Sequence, residues 1–216
     1  STDGGTTWQN GSGTSFTLPA GTYAAGKVQV QQTDVAGNVS TNAQLPATTV
    51  DQSIATPTLA LAQDTGSSAT DGITNDGTVN VTGLEAGGTW KYSTDGGVTW
   101  QNGSGTSFTL PAGTYAAGKV QVQQTDVAGN VSTNAQLPAV TIDTTKPLVD
   151  INPIAGPGPI TGTSDLIGGT VTVKFPDNTT ATATVGADGK WTVPNPGGLT
   201  TGGNVDATVT DPAGNV

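Results

Sequence analysis

The chain contains no cysteine, no methionine, no histidine and no arginine in its 216 residues. Without cysteine, no disulfide can staple the fold and no thiolate is available as a nucleophile or soft metal ligand. A bridge-free chain also suits a protein exported unfolded. Without histidine or cysteine, the common nucleophile–base pairs of hydrolases are missing, so an enzyme is not expected. Paired inward carboxylates could still cleave glycosides, but the acids here fall in turns and linkers. Hydrophobic residues make up 33% and aromatic residues 5%, so any one core must be small. No apolar run approaches the ~20 residues of a membrane-spanning helix, and no signal peptide is visible. Cations are scarce too. Six lysines face 16 acids for a net charge of −10, which makes nucleic acid an unsuitable partner.

What the chain does have is 32 glycines, 13 prolines and abundant threonine and valine. That is the profile of many short strands joined by tight turns. Of the 16 acids, 15 are aspartate and one is Glu85. Aspartate is the carboxylate of turns and of calcium loops, where a short arm on a tight backbone places an oxygen on an ion. It also keeps an apolar-poor surface in solution.

Internal similarity is the strongest feature. Ser1–Asp51 aligns without a gap on Ser93–Asp143, and the copies differ only at Thr6/Val98, Thr48/Val140 and Val50/Ile142. A period of about 90 residues is the size of one immunoglobulin-like sandwich and too long for a solenoid repeat. The expected fold class is all-β, with tandem immunoglobulin-like β-sandwich domains arranged as beads on a string. Residues 1–52 read as the C-terminal part of a truncated repeat. Residues 53–144 read as a complete repeat, and 145–216 as a divergent repeat lacking its last strand. The sequence is therefore expected to be a slice of a longer chain.

In the middle repeat, Thr56–Asp64 reads as strand A, Gly77–Gly83 as B and Thr89–Gln101 as a hairpin turned at Asp95-Gly96-Gly97. Thr106–Leu110 reads as E, Lys119–Asp126 as F and Ser132–Asp143 as G. Trp90, Trp100, Phe108, Tyr115 and the valines of F are the expected core. "LPAGTY" ahead of F has the form of a tyrosine corner. The third repeat offers Leu148–Ile154, Ile160–Ser164, Thr170–Phe175, Thr180–Val185, Lys190–Pro194 and Asn204–Asp211 as strands A to F, with hairpin turns at Pro176-Asp177-Asn178 and Ala187-Asp188-Gly189.

The heptapeptide "TDVAGNV" occurs at Thr33–Val39 and Thr125–Val131, and "TDPAGNV" at Thr210–Val216. In an alternating sandwich this turn is the F–G loop, at the pole where the chain comes in. The outgoing pole of the middle repeat carries Asp64, Asp71, Asn75 and Asp76 in its A–B loop, and the following linker carries Asp143. The third repeat brings Asp165 from its B–C loop and Asp211 from its turn. Like charges so placed repel unless a cation lies among them, and hard oxygen donors suit Ca²⁺. The preceding joint offers Asp51, Glu85 and Asp126 for a weaker or incomplete site, while Asp34 faces a joint outside this slice. The plainer reading of each turn is an aspartate capping its own backbone.

"DTGSSATDGITNDGTVNVTG", "YSTDGGVTW", "LPAGTY", "TDVAGNVS" and "IDTTKP" together resemble the bacterial Ig-like repeats of giant biofilm-associated adhesins, the Bap-like and RTX-type surface proteins. The third repeat, with "TVTVKFPDNTTATATVGADGKWTVPNPGGL", resembles a second repeat type of the same proteins. The resemblance covers essentially the whole chain. It implies a tandem array secreted to the bacterial cell surface, with Ca²⁺ at the joints. It places Asp64, Asp71, Glu85, Asp126 and Asp143 on calcium-binding positions. The third repeat departs from the pattern, since its A–B stretch "NPIAGPGPITG" has no acid and its outgoing joint is expected to bend more.

An extender that holds a distal adhesive domain away from the cell is the leading expectation, with neighbouring repeats as direct partners and a host or biofilm surface met through that distal domain. The alternative is a set of repeats that themselves grip a glycan or protein. Trp8, Trp100 and Trp191 would then have to lie exposed on one face, although core or cross-strand positions suit them better. "GTYAAGKV" imitates a phosphate loop but lacks the following Ser/Thr and leads into a strand, so it carries nothing.

Overall fold

The computed structural model describes residues 1–154, 156–197, 199 and 204–216. Ala155 of the acid-free A–B stretch and Gly198 of the third-repeat motif lie outside the described residues. Among the described residues there are strands and no helix, as the Thr/Val-rich alternation requires. Contacts divide the chain into two compact units.

The first unit comprises Ser1–Ala55, Glu85–Thr89 and Gln124–Ser132. Its strands are β1 (Gly21–Tyr23), β2 (Gln29–Val30), β3 (Ala43–Gln44) and β4 (Thr48–Val50). β1 pairs antiparallel with β4, and β2 with β3. The Tyr23 hydroxyl donates to the Pro19 carbonyl at 3.0 Å, which is the tyrosine corner. Val28 is buried, but Phe16 is 56%, Val30 50% and Leu45 42% exposed. Their copies in the middle repeat, Phe108, Val122 and Leu137, are 8%, 0% and 2% exposed. The side chains are the same, so the difference lies in whether an opposing sheet covers them.

The second unit comprises Thr56–Leu84, Trp90–Gln123 and Thr133–Val216. Its first part runs β5 (Thr58–Leu61), β6 (Ile73–Thr74), β7 (Thr78–Thr82), β8 (Thr89–Ser93), β9 (Gln101–Asn102), β10 (Ser107–Thr109), β11 (Gly113–Tyr115), β12 (Gln121–Thr125), β13 (Ala135–Gln136) and β14 (Val140–Ile142), with Thr89 at the start of β8 and Gln124 and Thr125 at the end of β12 counted in the first unit. The sheets are β10-β7-β5, β13-β12-β8-β9 and β11-β14-β6. Val79, Val81 and Phe108 meet Trp90, Val122, Val140 and Ile142 in one core. Tyr92 stacks on Phe108 with ring centroids 4.3 Å apart. The single expected strand G is two strands that join different sheets, β13 with β12 and β14 with β11. β14 also pairs in parallel with β6, a strand inside the expected A–B loop. The hairpin turns at Gly96 and Gly97, whose φ of 86° and 91° only glycine adopts readily. Trp100 departs from the expected core. It lies half-buried under the Lys91 ammonium, 4.9 Å from the ring centroid, with its indole N–H on the Gly97 carbonyl.

The remainder runs β15 (Val149–Ile151), β16 (Ile160–Ser164), β17 (Thr170–Lys174), β18 (Thr180–Thr184), β19 (Lys190–Val193) and β20 (Asp206–Val209). Two sheets, β15-β16-β19 and β18-β17-β20, enclose Ile160, Val171, Val173, Val185, Trp191 and Val193. Asn178 takes φ 65° in the turn after β17, where a short polar side chain tolerates the left-handed region.

Both cores rest an indole on a glycine. A Cβ on Gly103 would lie 2.2 Å from the Trp90 ring, and one on Gly162 would lie 2.2 Å from Trp191 and 2.0 Å from the Asp150 carbonyl. No rotamer relieves a clash with a backbone carbonyl. Gly162→Ala should therefore destabilise the third sandwich by about 1–3 kcal/mol or more. Gly158→Ala, which meets nothing within 4 Å, should be neutral. Urea unfolding followed by tryptophan fluorescence checks both, and equal midpoints for the two variants would contradict this packing.

Candidate metal sites at the repeat joints

Each D-x-A-G-N turn is closed from within. Asp34 Oδ1 accepts the N–H groups of Ala36 and Asn38 at 2.9 and 2.8 Å, and Oδ2 accepts the Asn38 amide at 2.8 Å. Asp126 does the same with Ala128, Asn130 and the Asn130 amide at 2.9, 2.8 and 2.7 Å. Asp211 Oδ1 accepts the Asn215 N–H at 2.9 Å and Oδ2 its side-chain amide at 2.7 Å. The plain capping role of these aspartates is therefore present in all three copies. The closing asparagine does more in two of them. Asn130 Nδ2 also donates to the Asp51 carbonyl at 3.1 Å, and Asn215 Nδ2 to the Asp143 carbonyl at 2.8 Å. One side chain thus ties each of these turns to the linker ahead of it.

The remaining expected ligands are placed as follows. In the second unit, Asp64 Oδ2 accepts the Gly72 N–H at 2.9 Å, while Oδ1 is buried and has no hydrogen-bond partner. Asp71 Oδ1 accepts the Ile73 N–H at 3.0 Å. Asp143 Oδ1 accepts the Thr145 N–H at 2.9 Å, and Asp165 Oδ1 the Leu148 N–H at 2.8 Å. In the first unit, Asp51 Oδ1 accepts the Ser53 N–H at 3.1 Å, and Glu85 Oε1 the Ala55 N–H at 3.1 Å. Thus Asp143 and Asp211 are joined through Asn215, and Asp51 and Asp126 through Asn130. Among the described residues no three acidic side chains stand together as a cluster that could hold an ion.

Sequence reasoning missed a linker clamp at Ala55. Its N–H goes to Glu85, and its carbonyl accepts Gln124 Nε2 at 2.7 Å. Gln124 Oε1 in turn accepts the Glu85 N–H at 2.9 Å. A glutamine in a Gln-rich strand gives no sign of this. The only available signal was its inward position in the alternation.

The Asn130 amide, followed by the turn's own N–H groups, holds the Asp126 carboxyl below the usual carboxylate range. Asn38 does the same to Asp34, and the Thr99 hydroxyl to Asp95 in the hairpin. A carboxyl whose folded pKa is depressed adds stability above its unfolded value of about 3.9, and that stability is lost as pH falls through the folded value. Acid unfolding should therefore steepen below about pH 4. Asp126→Asn should be less stable than the parent at pH 7 and lose less between pH 5 and pH 2. Circular dichroism across that range checks this, and parallel curves for the two proteins would refute it.

Residues 49–144 match the family model of the bacterial Ig-like domain. Among solved structures, one match is described as "Structural insight into host cell surface retention of a 1.5-MDa bacterial ice-binding adhesin". It is 20% identical, with a TM-score of 0.29, over 87% of this chain and 69% of that one. No curated protein matches the chain. The match covers the middle repeat with its linkers, and the paired sheets agree with it, as does the Tyr115 hydroxyl, which donates to the Pro111 carbonyl at 3.0 Å. Over residues 49–144 the chain is thus similar to the bacterial Ig-like domain family.

Proposed function

We propose that this chain is part of the extender of a bacterial cell-surface adhesin, outside the cell, in which Ca²⁺ at the repeat joints stiffens a rod of sandwiches for adhesion and biofilm formation. The family of the middle repeat and the near-identical tandem copies support the spacer role. Copies kept this alike add length, and each repeat's direct partners are its neighbours. A distal domain would meet the host or biofilm surface.

The observation that carries the ion is Asp64 Oδ1, a buried carboxylate oxygen with no partner. A buried carboxylate oxygen left without a partner is unfavourable, and a cation beside it removes that penalty. The donor chemistry fits a hard ion, since only Asp, Glu, Asn, main-chain carbonyls and water are on offer. Asp64, Asp71, Asp143, Asp165 and Asp211 would hold it at the second joint, and Asp51, Glu85 and Asp126 at the first. The carboxylates do not form a ready cluster, so carbonyls and water would complete the shell. Bound Ca²⁺ would offset the repulsion among these acids and join oxygens from the loop, the linker and the next repeat.

Binding to the folded state alone stabilises by mass action, about 2.7 kcal/mol at 100 times Kd. Thermal unfolding should therefore shift upward in calcium relative to EDTA, and Asp64→Asn should lose most of that shift. Identical melting with and without calcium would remove the ion from the account.

A further inference from the structure

The A–B loop of the middle repeat makes a second, cation-free contact with the turn of the third repeat. Thr65 Oγ1 lies 2.6 Å from the Ala213 carbonyl and accepts the Asn75 N–H at 2.8 Å. The Asn75 side-chain oxygen lies 2.9 Å from the same hydroxyl. Asn75 thus fixes where Thr65 points. Gly66 follows in the left-handed region at φ 97°. A Cβ built there would lie 1.9 Å from the Pro212 carbonyl, and one on Gly214 would lie 2.9 Å from the Gly66 nitrogen. Two glycines meet backbone to backbone at this point, and neither tolerates a side chain.

We propose that Thr65, Gly66 and Asn75 form a docking socket whose partner is the D-x-A-G-N turn of the next repeat. The socket sets the orientation of the joint and selects which repeats can follow, whether or not an ion is bound. Three observations support this. The turn is rigid before it docks, because the aspartate and asparagine close it internally in every copy. Thr65 and Gly66 meet main-chain atoms of Pro212, Ala213 and Gly214, so the side chain of the variable residue x is not read. The same turn with valine at x stands at Val35 and Val127, both exposed at 111% and 79%. Selection therefore rests on the small residues Ala and Gly in the turn and on the Thr-Gly pair in the socket. The third repeat has no Thr-Gly pair in residues 152–159, which connect β15 to β16, and its Thr161-Gly162 lies inside strand β16, so a D-x-A-G-N repeat placed after it would not be held in this way.

The test is NMR on the full chain in calcium and in EDTA, reading backbone amide shifts, amide exchange at Asn215 and the relative orientation of the two sandwiches by residual dipolar couplings. Gly66→Val should shift the Ala213–Asn215 amides, speed exchange at Asn215 by roughly tenfold, and change the orientation in calcium as well as in EDTA. The core signals of Val79 and Val171 should stay in place. Pro212→Val, which rewrites the turn as the other two copies have it, should leave docking intact. If Gly66→Val does not fold, Thr65→Val decides, with the same expected shift at Ala213. An unchanged orientation in a folded Gly66→Val or Thr65→Val variant would overturn the socket. Failure of the calcium reading looks different: the parent protein would not respond to calcium, while Gly66→Val would still undock.

Discussion

The turn aspartate gives one carboxylate oxygen to backbone N–H groups and the other to the side-chain amide of the asparagine four residues on. The rest of each joint depends on that closure. It makes a stiff, pre-shaped plug from five residues that contain both alanine and glycine. It also leaves one amide hydrogen of the asparagine free to reach a linker carbonyl, as Asn215 does at Asp143. The plug then presents its own carbonyls to the loop of the repeat before it. A charged group is suited to this task because hydrogen bonds to a carboxylate are stronger than neutral ones.

Small cores make such joints matter. With 33% hydrophobic residues, the two sandwiches close over ten and eight buried apolar side chains, and much of each sheet is threonine facing water. A repeat of this kind has a limited stability margin of its own. Contacts at its ends, whether hydrogen bonds or ions, then act on both the fold and the angle between repeats. Among the described residues the one ion pair is the exposed Lys190–Asp188 contact at 3.7 Å, so the excess of acids is not neutralised by lysine. That excess is what a divalent cation would relieve.

Much of this fold is legible in the sequence because its signals are local. "GTVNVTG" alternates and is a strand, Asp95-Gly96-Gly97 demands positive φ and is a turn, and "LPAGTY" folds its tyrosine back onto a proline carbonyl. What stayed hidden depends on contacts distant in sequence. Alternation tells which face of a strand is buried but not which sheet it joins, so strand G gave no sign of dividing into β13 and β14. Ile73–Thr74 is too short for any pattern to mark it. Trp100 reads as core by type, yet it lies under Lys91 of the paired strand. For the candidate site, the turn and linker acids stand out in the sequence, while the asparagines that link Asp51 with Asp126 and Asp143 with Asp211 do not. Asn130 and Asn215 look like turn residues, and only the folded chain shows their amides on linker carbonyls 79 and 72 residues away.

The central claim is that calcium stiffens the joints. Small-angle X-ray scattering of this chain in calcium, then in EDTA, then in restored calcium, tests it most directly. The account predicts that maximum dimension and rigidity fall in EDTA and return with calcium. A scattering profile that is the same in all three conditions would mean that the joint aspartates are turn caps and solubilising charge, and the ion would have no place in the rod.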